Sequence, residues 1–204
     1  RDANSNPVSG VSVTFAVASG GGSLSGATQT TNTSGIATVG SWTLGTTAGT
    51  SNNTLTATST GLSGSPLTFT ASATAGAATQ IAINAGDYQA ATAGSAVATP
   101  PSVIVRDANS NPVSGVSVTF AVASGGGSLA GATQTTNALG IATVGSWTLG
   151  PTAGTNNNTL TATSTGLAGS PLIFTASATA GVATQIAINA GDNQTATAGS
   201  AVAT

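Results

Sequence analysis

Val116-Ser117-Val118-Thr119-Phe120-Ala121-Val122-Ala123 places larger apolar side chains at every second position and Ser, Thr or Ala between them. A period of two is that of a β-strand with one face buried, because successive side chains of an extended chain point to opposite sides. The same rhythm recurs in Ile81/Ile83, Val103/Val105, Trp147/Leu149, Leu160/Ala162 and Leu172/Phe174, with Thr at many opposite positions. Turn chemistry separates these runs: Gly86-Asp87, Asn109 to Pro112, Gly125 to Gly127, Leu139-Gly140, Gly150-Pro151 and Gly169 to Pro171. About seven short strands in roughly 100 residues is the pattern of an immunoglobulin-like β-sandwich. A closed barrel is the alternative.

The chain repeats itself. Shifting it by 105 residues aligns residues 1–99 with 106–204, and 10 of those 99 pairs differ. The phase is set by Ala75-Gly76 and Ala180-Gly181, each followed by an Ala-Thr-Gln-Ile-Ala-Ile-Asn run from Ala78 or Ala183. The expected architecture is therefore all-β, a tandem array of immunoglobulin-like sandwiches with about seven strands per repeat. One complete repeat occupies residues 78–182. Residues 1–77 form a repeat lacking its opening strands, and 183–204 are the opening strand region of a third. Differences between the copies, Thr68/Ile173, Tyr88/Asn193, Thr46/Pro151 and Ser34/Leu139, are expected on loops or outward positions. The few residues between Ala176 and Ile186 leave little room for a flexible linker, which predicts a stiff, nearly straight array.

Composition narrows the function. Cys, His, Met and Lys are absent, and the charged residues are Arg1, Asp2, Asp87, Arg106, Asp107 and Asp192. Nucleic acid is not an expected partner, since phosphate binding needs clustered Lys and Arg. The 39% apolar content and its regular placement argue against disorder. No run approaches the ~20 apolar residues of a membrane-spanning helix, so no membrane contact is expected within the segment, and any signal peptide or anchor is expected outside it. Nucleophilic hydrolysis needs a proton-accepting base, normally His, so no enzyme and no catalytic residues are expected. Asp87 and Asp107 are read as turn residues, not a glycosidase pair.

Several patterns invite a ligand and have a plainer explanation. Asp107, Asn109 and Asn111, repeated as Asp2, Asn4 and Asn6, carry oxygen atoms at alternate positions as a calcium loop does. The glycine and the bidentate Glu of such a loop are missing, and an Asx turn leading into Pro112 accounts for the same residues. No cofactor is expected, with calcium as the alternative. The triple glycines at 20–22 and 125–127 lack the Gly-Lys-Ser/Thr ending of a phosphate loop. Thr54, Thr56, Thr58 and Thr60 are read as a solvated strand face. Phe15, Trp42 and Phe69, with Phe120, Trp147 and Phe174 in the second copy, are the expected core anchors.

The run Val105-Arg106-Asp107-Ala108-Asn109-Ser110-Asn111-Pro112-Val113-Ser114-Gly115-Val116-Ser117-Val118-Thr119-Phe120 resembles the signature of group 1 bacterial immunoglobulin-like domains. These are the repeats of invasin- and intimin-type adhesins. Gly140-Ile141-Ala142-Thr143, Trp147-Thr148-Leu149-Gly150 and Asn158-Thr159-Leu160-Thr161-Ala162 extend the resemblance over most of each unit. It implies an extracellular or cell-surface bacterial protein in which such domains form a stalk or filament, spacing a tip domain from the cell. The expected partners are other copies of the repeat, head-to-tail or lateral. If copies join end to end, residues 183–204 of one would complete residues 1–77 of the next, lacking only the counterparts of Pro100 to Val105; the alternative is that both ends are continuous covalent chain. The alternative is an extracellular module binding carbohydrate or a host protein through Tyr88 and the loops near Asn32 and Asn137.

Overall fold

A computed structural model describes residues 1–202, and every helix-free segment of it that is regular is a strand. In chain order these are β1 (Ser12–Ser19), β2 (Ser23–Ser25), β3 (Thr28–Thr30), β4 (Ser41–Thr43), β5 (Gly49–Thr58), β6 (Leu67–Ala73), β7 (Ala78–Ala85) and β8 (Gln89–Thr92). There follow β9 (Ser102–Asp107), β10 (Ser117–Ser124), β11 (Ser128–Ala130), β12 (Thr133–Thr135), β13 (Ile141–Thr143), β14 (Ser146–Thr148), β15 (Gly154–Thr163) and β16 (Leu172–Thr179).

Strands β7 to β16 build an immunoglobulin-like sandwich. One sheet has the order β12-β10-β15-β16-β8, and the other layer combines β13-β9-β7 with the ribbon β11-β14. All neighbours are antiparallel except β8, which adds parallel to β16 with Gln89 opposite Ala176. The period-two reading holds in β10: Val118 and Phe120 are buried, Val116 and Val122 are half-buried, and Ser117, Thr119, Ala121 and Ala123 face water. Ten strand segments replace the expected seven, because the edges of the sandwich are cut into the three-residue pieces β11 to β14.

The core fills the space between the layers. Val103 and Val105 of β9 and Ile81 of β7 meet Val118, Phe120, Leu160 and Phe174 of the opposing sheet, with Trp147 of β14 closing one side. The Phe120 and Phe174 rings lie 6.5 Å apart at a 45° tilt, a favourable aromatic geometry. Copy differences sit outward as expected, with Ile173, Leu139 and Tyr88 all exposed.

Residues 1–77 make only part of this. Their sheet has the order β3-β1-β5-β6, accompanied by the ribbon β2-β4, and nothing corresponds to β7, β8 or β9. Their core is reduced to Phe15, Leu55 and Ala57 with half-buried Val13, Leu24, Ala37, Val39 and Trp42 around them. One expected core anchor is thereby corrected: Phe69 is 47% exposed, because no strand within residues 1–77 covers it as β7 and β9 cover its counterpart, whereas Trp42 is half-buried and packs against the reduced core. Residues 183–202 form no strand, and Ile186 is fully exposed.

Candidate functional site at the inter-repeat junction and the open sheet face

The loop after β9 is organised by one carboxylate. Asp107 Oδ1 accepts hydrogen bonds from the Asn109 and Asn111 amides at 2.9 and 2.8 Å, and Oδ2 accepts from Asn111 Nδ2 at 2.9 Å. The Asp107 amide donates to the Asn111 carbonyl, which closes the turn, and Ser110 takes the left-handed conformation at φ 67°. Arg106 Nη1 ties the outside of the loop to the Ser110 carbonyl at 2.8 Å. This is the Asx-type turn that Asp and Asn favour because their short side chains reach their own backbone.

The loop also reaches the preceding unit. Asp107 Oδ2 accepts from the Gly76 amide at 2.8 Å. Asn111 Oδ1 accepts from the Ala48 amide at 2.8 Å, while its Nδ2 donates to the Thr46 carbonyl at 2.9 Å. Asp107 and Asn111 are both buried in this position. The Asn111 side chain, with the Gly76 amide next, holds the Asp107 carboxyl down to about 2 against the opposing effect of burial. Only residues 74–77 separate β6 from β7, so the covalent link is short as well. A cleft beside the contact is lined by Ala48, Gly49, Ala73 and Ala75 of the first unit and by Pro112 and Ala138 of the second.

The same loop exists once without a neighbour. Asp2 Oδ1 accepts from the Asn4 and Asn6 amides and Oδ2 from Asn6 Nδ2, at 2.9, 2.8 and 2.9 Å, and Arg1 Nη1 donates to the Ser5 carbonyl. Here the loop is fully exposed, and Asn6 still lowers the carboxyl pKa. The latch is therefore built locally and docks as a formed unit. The calcium candidates Asp2, Asn4, Asn6, Asp107, Asn109 and Asn111 are thus brought together, with both carboxylate oxygens turned toward N–H donors instead of an open cavity. Among the described residues no three acids, His or Cys cluster as metal ligands.

Sequence reasoning singled out Asp107 and Asn111 but not what they hold. Thr46, Ala48 and Gly76 contribute backbone atoms, which no side-chain pattern reveals. The one available signal was that Thr46 becomes Pro151 in the second copy: a carbonyl acceptor survives that change, whereas an amide donor would not.

The other candidates serve the fold. Asp87 Oδ1 accepts from the Tyr88 amide and, across the sheet, from the Thr175 amide at 2.8 Å. Asn32 and Asn137 each cap a turn by accepting two backbone amides. Tyr88 projects into solvent on its own turn, while Ala138, beside Asn137, borders the inter-repeat cleft. In the triple-glycine loop all three residues have positive φ, and a side chain on Gly127 would strike the Thr148 carbonyl, so the run is required by close packing.

The second feature is the uncovered face of residues 1–77. Phe15, Ala37, Val39, Trp42, Leu55 and Phe69 line a shallow apolar groove of about 360 Å³. Leu67 and Leu62 extend it, 59% and 48% exposed.

No family model matches the chain, and no curated protein does. Among solved structures it is similar to the D0-D1 domain of intimin, at 24% identity over 86% of this chain and 83% of that one, with a TM-score of 0.34. It is similar to FdeC, an Escherichia coli adhesin, at 21% identity, 87% and 57% coverage and a TM-score of 0.45. Similarity to invasin, a bacterial integrin-binding protein, is 20% over 89% of this chain and 34% of that one, at a TM-score of 0.41. The chain thus spans little more than half of the FdeC structure and a third of the invasin structure. Its class rests on its own architecture, a tandem immunoglobulin-like β-sandwich with a docked inter-repeat junction.

Proposed function

We propose that this chain is a segment of a non-enzymatic bacterial surface rod, whose repeats space an adhesive tip from the cell. The observation that carries the reading is the junction. Asp107 and Asn111 make three hydrogen bonds to the preceding unit, at Gly76, Ala48 and Thr46, across a linker of residues 74–77. Domains in one chain move relative to one another unless their interface restrains them. A short link plus a buried, charge-assisted contact is such a restraint, and near-identical repeats would reproduce it at every step.

The surface suits the role. With 3% charged residues and a Thr- and Ser-rich exterior, neighbouring rods repel one another weakly. Small-angle X-ray scattering and negative-stain microscopy of the 204-residue chain and of longer arrays test the reading. Length growing in proportion to repeat number is expected, with one sandwich per 105 residues. Arrays that bend freely at each junction would overturn it.

A further inference from the structure

We propose that the outer face of the β12-β10-β15-β16-β8 sheet docks against the same face of a second copy of this chain, with Tyr88 and Ile173 as the anchors. This goes beyond the rod reading, since it concerns contact between rods lying side by side.

All five strands lie inside the complete repeat, 78–182, and the preceding unit leaves their outward side chains exposed or half-buried. No charged residue lies on any of them. Small side chains meet across the face in register: Thr119 lies between Thr133 and Thr163, Ala121 opposite Thr161, and Thr161 opposite Ile173. Interspersed charges ordinarily keep folded proteins apart, and this face has none.

Two large side chains rise at one margin of this floor. Ile173 is 58% exposed where the first unit has Thr68, and Tyr88 is 78% exposed at the head of β8. Asp87 Oδ1 accepts both the Tyr88 and the Thr175 amides, which fixes the Tyr88 turn against β16 at Thr175, two residues along from Ile173. Tyr88 has φ 52°, a left-handed backbone that Asn adopts readily and an aromatic residue does not. Asn193 holds the same position in the next copy at φ 54°, so the turn has no need of the ring. Strain kept for the sake of an exposed aromatic side chain marks a contact made outside the domain.

The occupant follows from shape, charge and area. A flat face suits another protein surface, whereas small ligands take concave sites. At about 4.8 Å between strands and about 3.3 Å per residue, the five strands present roughly 500 Å². One pair of repeats then buries about 1,000 Å² in total, at the lower limit for a specific interface, and two pairs reach about 2,000 Å², the range of stable complexes. A neutral face meets its own copy without repulsion, and a two-fold axis lets Tyr88 and Ile173 of each chain lie over the small side chains of the other. Because the floor recurs every 105 residues, affinity climbs with repeat number.

Sedimentation velocity over a range of concentrations, on the 204-residue chain and on longer arrays of the same repeat, is the first measurement. Mass should rise with concentration, and at lower concentration as repeats are added. Tyr88→Asn with Ile173→Thr should weaken association about thirtyfold. Neighbouring copies carry those residues as Asn193 and Thr68, so the sandwich stays folded. Ala121→Lys, exposed on the floor, should weaken it as well by placing a charge in the contact. Tyr88 is the single tyrosine of the chain, so its nitration by tetranitromethane should slow as the rods associate. Arrays that stay monomeric, or association that none of these substitutions touches, would overturn the proposal. So would a monomeric array whose Tyr88 is protected by N-acetylglucosamine oligosaccharides, which would assign the face to a sugar. Scattering reads stiffness separately, and a stiff monomer would leave the rod reading standing.

Discussion

Residues 1–77 and 106–182 are nearly the same sequence, yet Phe69 is 47% exposed where Phe174 is fully buried, and Trp42 is half-buried where Trp147 is fully buried. The difference lies in residues 78–105, which cover the second unit and have no counterpart over the first. Burial here is a property of the opening segment as much as of the residues it buries. The junction loops make the same comparison in polar terms. Asp2–Asn6 and Asp107–Asn111 share their internal hydrogen bonds, and only the second set has a neighbour to hold.

The widest gap between the units should appear in their cores. Phe174→Ala is expected to cost about 3–5 kcal/mol and Phe69→Ala about 1 kcal/mol, because only the former opens a cavity. Guanidinium unfolding should accordingly resolve two transitions, with the earlier one belonging to residues 1–77. Equal losses at both positions would mean that the first unit is covered in solution.

The junction loops should differ next. Asn111→Ala leaves the Ala48 amide and Thr46 carbonyl without partners and should cost about 1–3 kcal/mol, with a broader distribution of inter-repeat angles in scattering. Asn6→Ala, exposed and without a neighbour, should stay within about 0.5 kcal/mol.

Acid should separate the two carboxylates in the same direction. Each is held below the ordinary aspartate value near 4, Asp107 at about 2. A depressed carboxylate contributes stability that is fully present above its unfolded value and is lost as pH falls through its folded one. Junction stiffness should therefore hold at pH 5 and decline between about pH 4 and pH 2. Asp107→Asn should remove that pH dependence from scattering and melting curves, and Asp2→Asn should leave it in place.

The smallest effect expected is that of calcium. Because both Asp107 oxygens accept from N–H groups, chelator should leave the melting temperature of either unit unchanged. A rise on adding calcium that Asp2→Asn abolishes would restore the metal reading for the exposed loop.

Much of the architecture was readable from residue order. Alternation in 116–123 predicts β10 with its buried face correctly, and the glycine and proline turns fall between strands. The interruption of the edges into β11 to β14 was not readable, since a three-residue ribbon is set by which strands happen to oppose it. Of the candidate site, Asp107 and Asn111 stood out as turn formers, and their second role depends on Thr46, Ala48 and Gly76, distant in sequence and contributing only main chain.

Side-chain period and repeat spacing were enough to specify strands, turns and the sandwich class, because these depend on neighbours a few residues apart. Which copy buries its aromatics, and which Asx loop becomes a latch, was decided by what packs against each. Those are long-range contacts, and two near-identical stretches of chain acquire different environments when only one has a partner.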